Sequence, residues 1–144
     1  MARTAFKIGC YLAFFTAALH TFGAHVVPAI SPPLPANDSE RQLMELATNY
    51  RFPLPGAMRS MKELTDGFSL AYSMLFALTG GLGLIVVRRS ASDPLLLIAT
   101  ARALAGGYLV LLAISLTYFF LIPTVCTGAI ALAFTIAAVS KPAA

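Results

Sequence analysis

The chain has 144 residues, 58% of them hydrophobic and 11% charged, with ten Lys and Arg against six Asp and Glu and a net charge of +4. An ordinary water-soluble domain carries about 25% charged residues, so the composition excludes one. The cations are scattered rather than gathered on a basic face interleaved with aromatics, which excludes a nucleic-acid binder and leaves the positive excess as a signal of membrane orientation.

Residues 8–37, 67–87 and 103–140 contain no Lys, Arg, Asp or Glu. A spanning helix needs about 20 mostly apolar residues. The opening MARTAFKIGCYLAFFTAAL has a basic start and an apolar run, like a signal peptide. The run is long for a signal core, so it is expected to remain as the first span, residues 8–27. Pro28, Pro32, Pro33 and Pro35 follow. Proline lacks the amide proton and crowds the preceding turn, so the span is expected to stop at Pro28.

Residues 28–67 form a long first loop holding five of the six acidic residues. Within it, NDSERQLMELATNYR reads as a short amphipathic helix. Leu43, Leu46, Ala47 and Tyr50 recur at helical spacing, and Asn37, Asp38 or Ser39 can cap it. FPLPG breaks that helix. A second is expected from Ala57 into span two, residues 68–87, which Arg88 and Arg89 end. Span three, residues 95–122, follows Asp93-Pro94, where proline suits the first turn. Pro123 is expected to make a tight turn into span four, residues 124–139. The expected fold is an all-α membrane protein, a four-transmembrane-helix bundle forming one domain over residues 1–144.

Arg3, Lys7, Arg88, Arg89 and Lys141 all flank spans on one side if both termini are cytoplasmic, as the positive-inside rule prefers. The expected location is the bacterial inner membrane with the long loop outside, where Glu63 and Asp66 offset Arg59 and Lys62. Cys10 then lies near the inner face and Cys126 near the outer face of a ~30 Å core. A disulfide needs Cα atoms within about 7 Å, so none is expected.

His20 lies about 10 Å inside the outer end of span one at about 1.5 Å per residue, on one face with Thr16 and Gly23. Ser69, Tyr72 and Ser73, Ser115 and Tyr118, and Thr124 and Thr127 fall at similar depth. The outer half of the bundle is therefore expected to hold a polar layer, with His20, Arg59, Tyr72, Ser73 and Tyr118 as candidate ligand-binding residues. A neutral imidazole there can meet a quinone or lipid carbonyl or pass a proton. It can equally bond a Ser or Tyr and hold helices in register. His25 is five residues on, about 140° around an α-helix, so the two are expected not to share a face or a metal. No catalytic residue, metal ligand or cofactor is assigned: HExxH, CxxC, GxSxG and Walker-type patterns do not occur.

Arg102 interrupts span three. It is expected to snorkel to the inner interface or to contact an anionic lipid headgroup. Arg59 with Glu63, and Lys62 with Asp66, are expected as helical i, i+4 pairs, Arg59 being an anion binder in the sharper reading. GGLG, from Gly80, lacks the context of a phosphate loop; with Ala77, Gly106 and Gly107 it is expected to let helices approach closely.

HTFG at the end of span one, PGAMRSMKELTDGFSL entering span two, DP and AR at span three, and YFFLIP at the last turn occur in order along the chain. On these pieces it resembles an uncharacterised family of small four-span bacterial membrane proteins. The matching positions are His20, Gly23, Gly56, Arg59, Ser60, Gly67, Phe68, Arg102, Tyr118, Phe119, Phe120 and Pro123. In layout the chain is also loosely similar to DoxX-like proteins. The resemblance implies the fold and this choice of residues, and no activity.

The function expected from the sequence is structural or accessory: a small integral membrane protein packing with itself or a larger complex in the bilayer. The alternative is a binding protein or small enzyme for an apolar quinone, lipid or sterol-like ligand in the outer polar layer. Transport is disfavoured, since no inverted repeat, broken helix or intramembrane carboxylate is visible.

Overall fold

The computed structural model describes residues 1–90 and 93–140. Lys141, used above for orientation, lies outside the described residues. Four helical segments are long and apolar enough to cross a membrane: Ala2–Ile30, Met61–Arg89, Pro94–Tyr118 and Leu121–Val139. Between 22% and 39% of their apolar windows is buried within the protein, so most of each span's side chains are left for lipid. In hydrocarbon the backbone must satisfy its own hydrogen bonds, which is why these stretches are helices. The chain is a multi-pass membrane protein on this ground.

The first segment is composite. Helix α1 (Ala2–Thr21) runs into a π-helical turn, Phe22–Val26, and then a single α-turn, α2 (Val27–Ile30). The expected stop at Pro28 is not made; helix continues to Ile30. The physical reason is the wider turn before the proline. Val27 donates its N–H to Phe22, five residues back. A proline ring clashes with the carbonyl four residues earlier, and widening the turn moves that carbonyl aside.

Helix α3 (Asp38–Asn49) is the expected amphipathic helix. Asn37 caps it, its side-chain oxygen accepting from the Glu40 N–H at 2.9 Å, while Glu40 reaches back to the Ala36 N–H at 2.7 Å. Two short antiparallel strands follow, β1 (Arg51–Leu54) and β2 (Ala57–Ser60), with Leu54 opposite Ala57. The protein remains predominantly helical; what differs is FPLPG, expected only to break the helix, which instead lies in a hairpin. Pro55 and Gly56 fill the central positions of a turn, and Gly56 has φ +81°, the geometry a type II turn demands.

Helix α4 (Met61–Arg89) therefore starts four residues later than Ala57. Its start is a capping box. Ser60 Oγ accepts from the Glu63 N–H at 3.2 Å, and Glu63 Oε2 accepts from the Ser60 N–H at 2.9 Å. Helix α5 (Pro94–Tyr118) is capped by Asp93, whose Oδ1 accepts from the amides of Leu95 and Leu96, each at 3.1 Å. It ends at Tyr118, short of the expected Ile122. Phe119 and Phe120 make the turn, and α6 (Leu121–Val139) begins before Pro123. Pro123 is the third residue of that helix, where its missing donor has no intrahelical partner to lose. Thr124 Oγ1 donates to the carbonyls of Ser115 and Phe120, at 3.2 and 3.0 Å, joining the two helix ends.

Two compact units are distinguished: residues 1–17 with 75–144, and residues 18–74. In the first, α5 and α6 pack along each other. Phe6, Tyr108 and Phe134 form its aromatic centre, with ring centroids 5.3 Å (Phe6–Phe134) and 5.5 Å (Tyr108–Phe134) apart. Helices α1 and α4 meet closely here, because a Cβ on Gly80 would fall 2.8 Å from the Cys10 carbonyl oxygen. A Cβ on Gly83 would overlap the Cys10 sulfur. Cys10 and Cys126 are both free thiols. The second unit holds the end of α1, the π-turn, α2, α3, the hairpin and the first half of α4.

Candidate functional site

The principal polar cluster lies in the second unit. His20 Nε2 and His25 Nε2 each stand 2.9 Å from the same Ser69 Oγ. Their rings are 6.3 Å apart and nearly perpendicular, at 81°. Tyr72, three residues beyond Ser69 on α4, sets its ring edge-on to His20 at 5.3 Å.

The expectation that His20 and His25 point to different faces is overturned. Five residues in an α-helix turn about 140° past alignment, but a π-turn closes i to i+5 hydrogen bonds. Residues five apart then stack as residues four apart do in an α-helix. Pro28 induces the wider turn, and the turn carries His25 onto Ser69.

A serine hydroxyl has one proton and two lone pairs, and each neutral imidazole has one N–H and one bare nitrogen. Ser69 can donate to only one of the two rings. At least one imidazole must therefore present Nε2–H to the oxygen. In the fully bonded neutral state the order is N–H to oxygen, then O–H to nitrogen, with the two histidines in opposite tautomers.

Ser69 with a histidine at this distance is in the range for a nucleophile and its base. The rest of a hydrolytic site is not built here. Ser69 sits inside α4, where neighbouring backbone N–H groups are used by the helix and cannot form an oxyanion hole. Among the described residues no group of three or more His, Cys, Asp or Glu comes together to hold a metal ion. What the cluster can do is exchange hydrogen bonds and pass a proton.

The other candidate residues divide. Ser73, one turn from Ser69, is buried, and its hydroxyl has no hydrogen-bond partner among the described residues. Arg59 is exposed on β2 and, among the described residues, donates only to the neighbouring Met58 carbonyl, at 3.3 Å. Its expected pairing with Glu63 is replaced by Arg51, which reaches Glu63 Oε1 at 2.8 Å, because Arg59 lies on a strand and not on the helix. Lys62 pairs with Asp66 as expected. Tyr118 belongs to the other unit, at the end of α5, and is 79% exposed. Ser115 and Thr127, also in that unit, are buried, their hydroxyls without a hydrogen-bond partner among the described residues. Arg102 lies in the same unit, beside a cavity between α5 and α6.

His25 and Ser69 were not among the candidates read from the sequence. The available signal was the proline three residues after His25, at the end of a helix with no other reason to widen. No family model, curated protein or solved structure matches the chain.

Proposed function

We propose that this chain is a protein of the bacterial inner membrane, with both termini cytoplasmic, that binds an apolar molecule through a carbonyl or hydroxyl head at the His20–Ser69–His25 cluster. A quinone, a lipid or a sterol-like molecule has that chemistry. The observation that carries the reading is two imidazole nitrogens on one hydroxyl. Joining α1 to α4 needs only one such bond. The second imidazole adds an N–H that a ligand oxygen accepts in place of Ser69, while Ser69 keeps its bond to the other ring. Binding then swaps one hydrogen bond for another and strands no polar group. Phe22 and Phe68, exposed sequence neighbours of the cluster, offer apolar surface to the tail.

The test is purification in mild detergent followed by mass spectrometry of extracted small molecules. One apolar species is expected with the wild-type protein and is lost from His20→Ala and His25→Phe. A His20→Ala protein that holds the species with unchanged affinity would count against the site.

A second reading is the structural or accessory one, in which the chain packs against a second copy or a larger complex. One feature of α5 favours it. Ala99, Ala103, Gly106 and Val110 follow one exposed helical face, and a Cβ on Gly106 or Gly107 would meet nothing within 4 Å. Small residues on a lipid-facing stripe let helices associate. Gly106→Leu would then abolish a cross-linked oligomer and leave the monomer's helical content unchanged.

A further inference from the structure

The first unit contains a cavity of about 550 Å³ between the N-terminal half of α5 and the last turn of α6. Leu95, Ile98, Ala138 and Val139 wall it, and Arg102 and Ser140 are its polar residues. The Ser140 hydroxyl is committed to the Ile136 carbonyl at 2.6 Å. The Arg102 guanidinium makes no hydrogen bond or ion pair to any described residue. The volume lies within the roughly 300–1,000 Å³ of small-molecule sites, and its walls suit hydrocarbon.

The charge around this end is one-sided. Asp93 is the only acidic residue in 67–140, and its Oδ1 is occupied by two backbone amides. Arg88 and Arg89 close α4 only a few residues before α5 begins. Arg3 donates to the Val87 carbonyl at 3.2 Å, so it lies at the same helix end.

We infer that this groove holds an acyl chain bearing an anionic head, with Arg102 pairing the head and the α5–α6 walls taking the chain. A guanidinium with no partner among the described residues, beside an apolar slot, is expensive in a bilayer. A phosphate or carboxylate satisfies it through the planar fork of N–H donors, which an ammonium group cannot copy. Basic pockets between spans on the cytoplasmic side bind anionic lipid heads in this way. Snorkelling alone would account for the arginine but leaves the slot beside it unexplained. The site is separate from the histidine cluster and stands whether or not that cluster binds a ligand.

The experiment is native mass spectrometry of the full chain in neutral detergent, titrated separately with phosphatidylglycerol, phosphatidylcholine and oleate. One molecule of phosphatidylglycerol is expected to bind in preference to phosphatidylcholine. Arg102→Gln should weaken it about tenfold, the loss of one charged hydrogen-bonded pair. Ala138→Leu, which fills the slot and keeps the charge, should weaken it as well, and Arg88→Gln should not. Oleate bound more tightly than phosphatidylglycerol, with the same response to Arg102→Gln, would assign the head to a carboxylate and support the site. Equal binding of the two phospholipids, or an Arg102→Gln protein of unchanged helical content that binds like the wild type, would overturn it.

Discussion

Ser69 is the residue on which the histidine cluster turns, and its one proton sets the chemistry. The two imidazoles are predicted to hold unlike hydrogen-bond roles, one offering Nε2–H and the other a bare nitrogen. Nitrogen NMR of the labelled histidines should show two distinct Nε2 environments, and Ser69→Ala should make them alike. The same substitution should lower the unfolding free energy by about 0.6–2 kcal/mol, the range of interhelical hydrogen bonds in bilayers. His20 was readable as a candidate from its place inside an uncharged run. His25 was not, because its direction depends on a turn type that helical periodicity cannot express. Ser69 was read only as one of several hydroxyls at similar depth, since nothing in a helix sequence says which hydroxyl faces an imidazole.

At the scale of elements, the π-turn acts as a one-residue insertion that keeps His25 stacked near His20. Deleting Ala24 makes the histidines i, i+4 neighbours in an ordinary α-helix, so the unlike Nε2 signals should survive. Inserting one alanine after Phe22 should merge them by rotating His25 off Ser69. The packing of α1 on α4 makes a separate prediction. A Cβ on Gly80 would lie 2.7 Å from Phe14 and 2.8 Å from the Cys10 backbone, whereas one on Gly81 would sit at an ordinary 3.6 Å. Gly80→Ala should destabilise the protein by about 1–3 kcal/mol through overpacking, and Gly81→Ala should be nearly neutral in the same unfolding titration. That small residues in span two allow close approach was legible in the sequence. Which glycine bears the contact was not, because it depends on how the two helices are rotated against each other. The hairpin was missed for a related reason. Pro55 and Gly56 were read as a break, but pairing of the residues on either side required the register of Leu54 opposite Ala57.

For the molecule as a whole, the proposed topology has four spans and both termini on one side of the membrane. Under the positive-inside rule, Arg3, Lys7, Arg88 and Arg89 are the basis for proposing that this side is the cytoplasm. In a Cys10→Ser, Cys126→Ser background, Ser39→Cys should react with a membrane-impermeant maleimide in intact cells. Ser90→Cys should react only after permeabilisation. The opposite pattern would invert the orientation and move the Arg102 groove to the outer face.

The sequence by itself determined the solvent and the class of fold. Long uncharged stretches dissolve in hydrocarbon only as structures that bond their own backbone, and that requirement is local to each stretch. It also marked α3, with a cap at Asn37, Asp38 or Ser39, and the Lys62–Asp66 pair, because those interactions span only a few residues; the structure makes Asn37 the cap. Tertiary structure decided the rest: His25 beside Ser69, Arg51 instead of Arg59 on Glu63, the Cys10 contact with α4, and the slot beside Arg102. Each of these joins residues on different elements or depends on the rotation of a helix about its axis. Composition and periodicity leave that rotation free, and only the packing of one side chain against another fixes it.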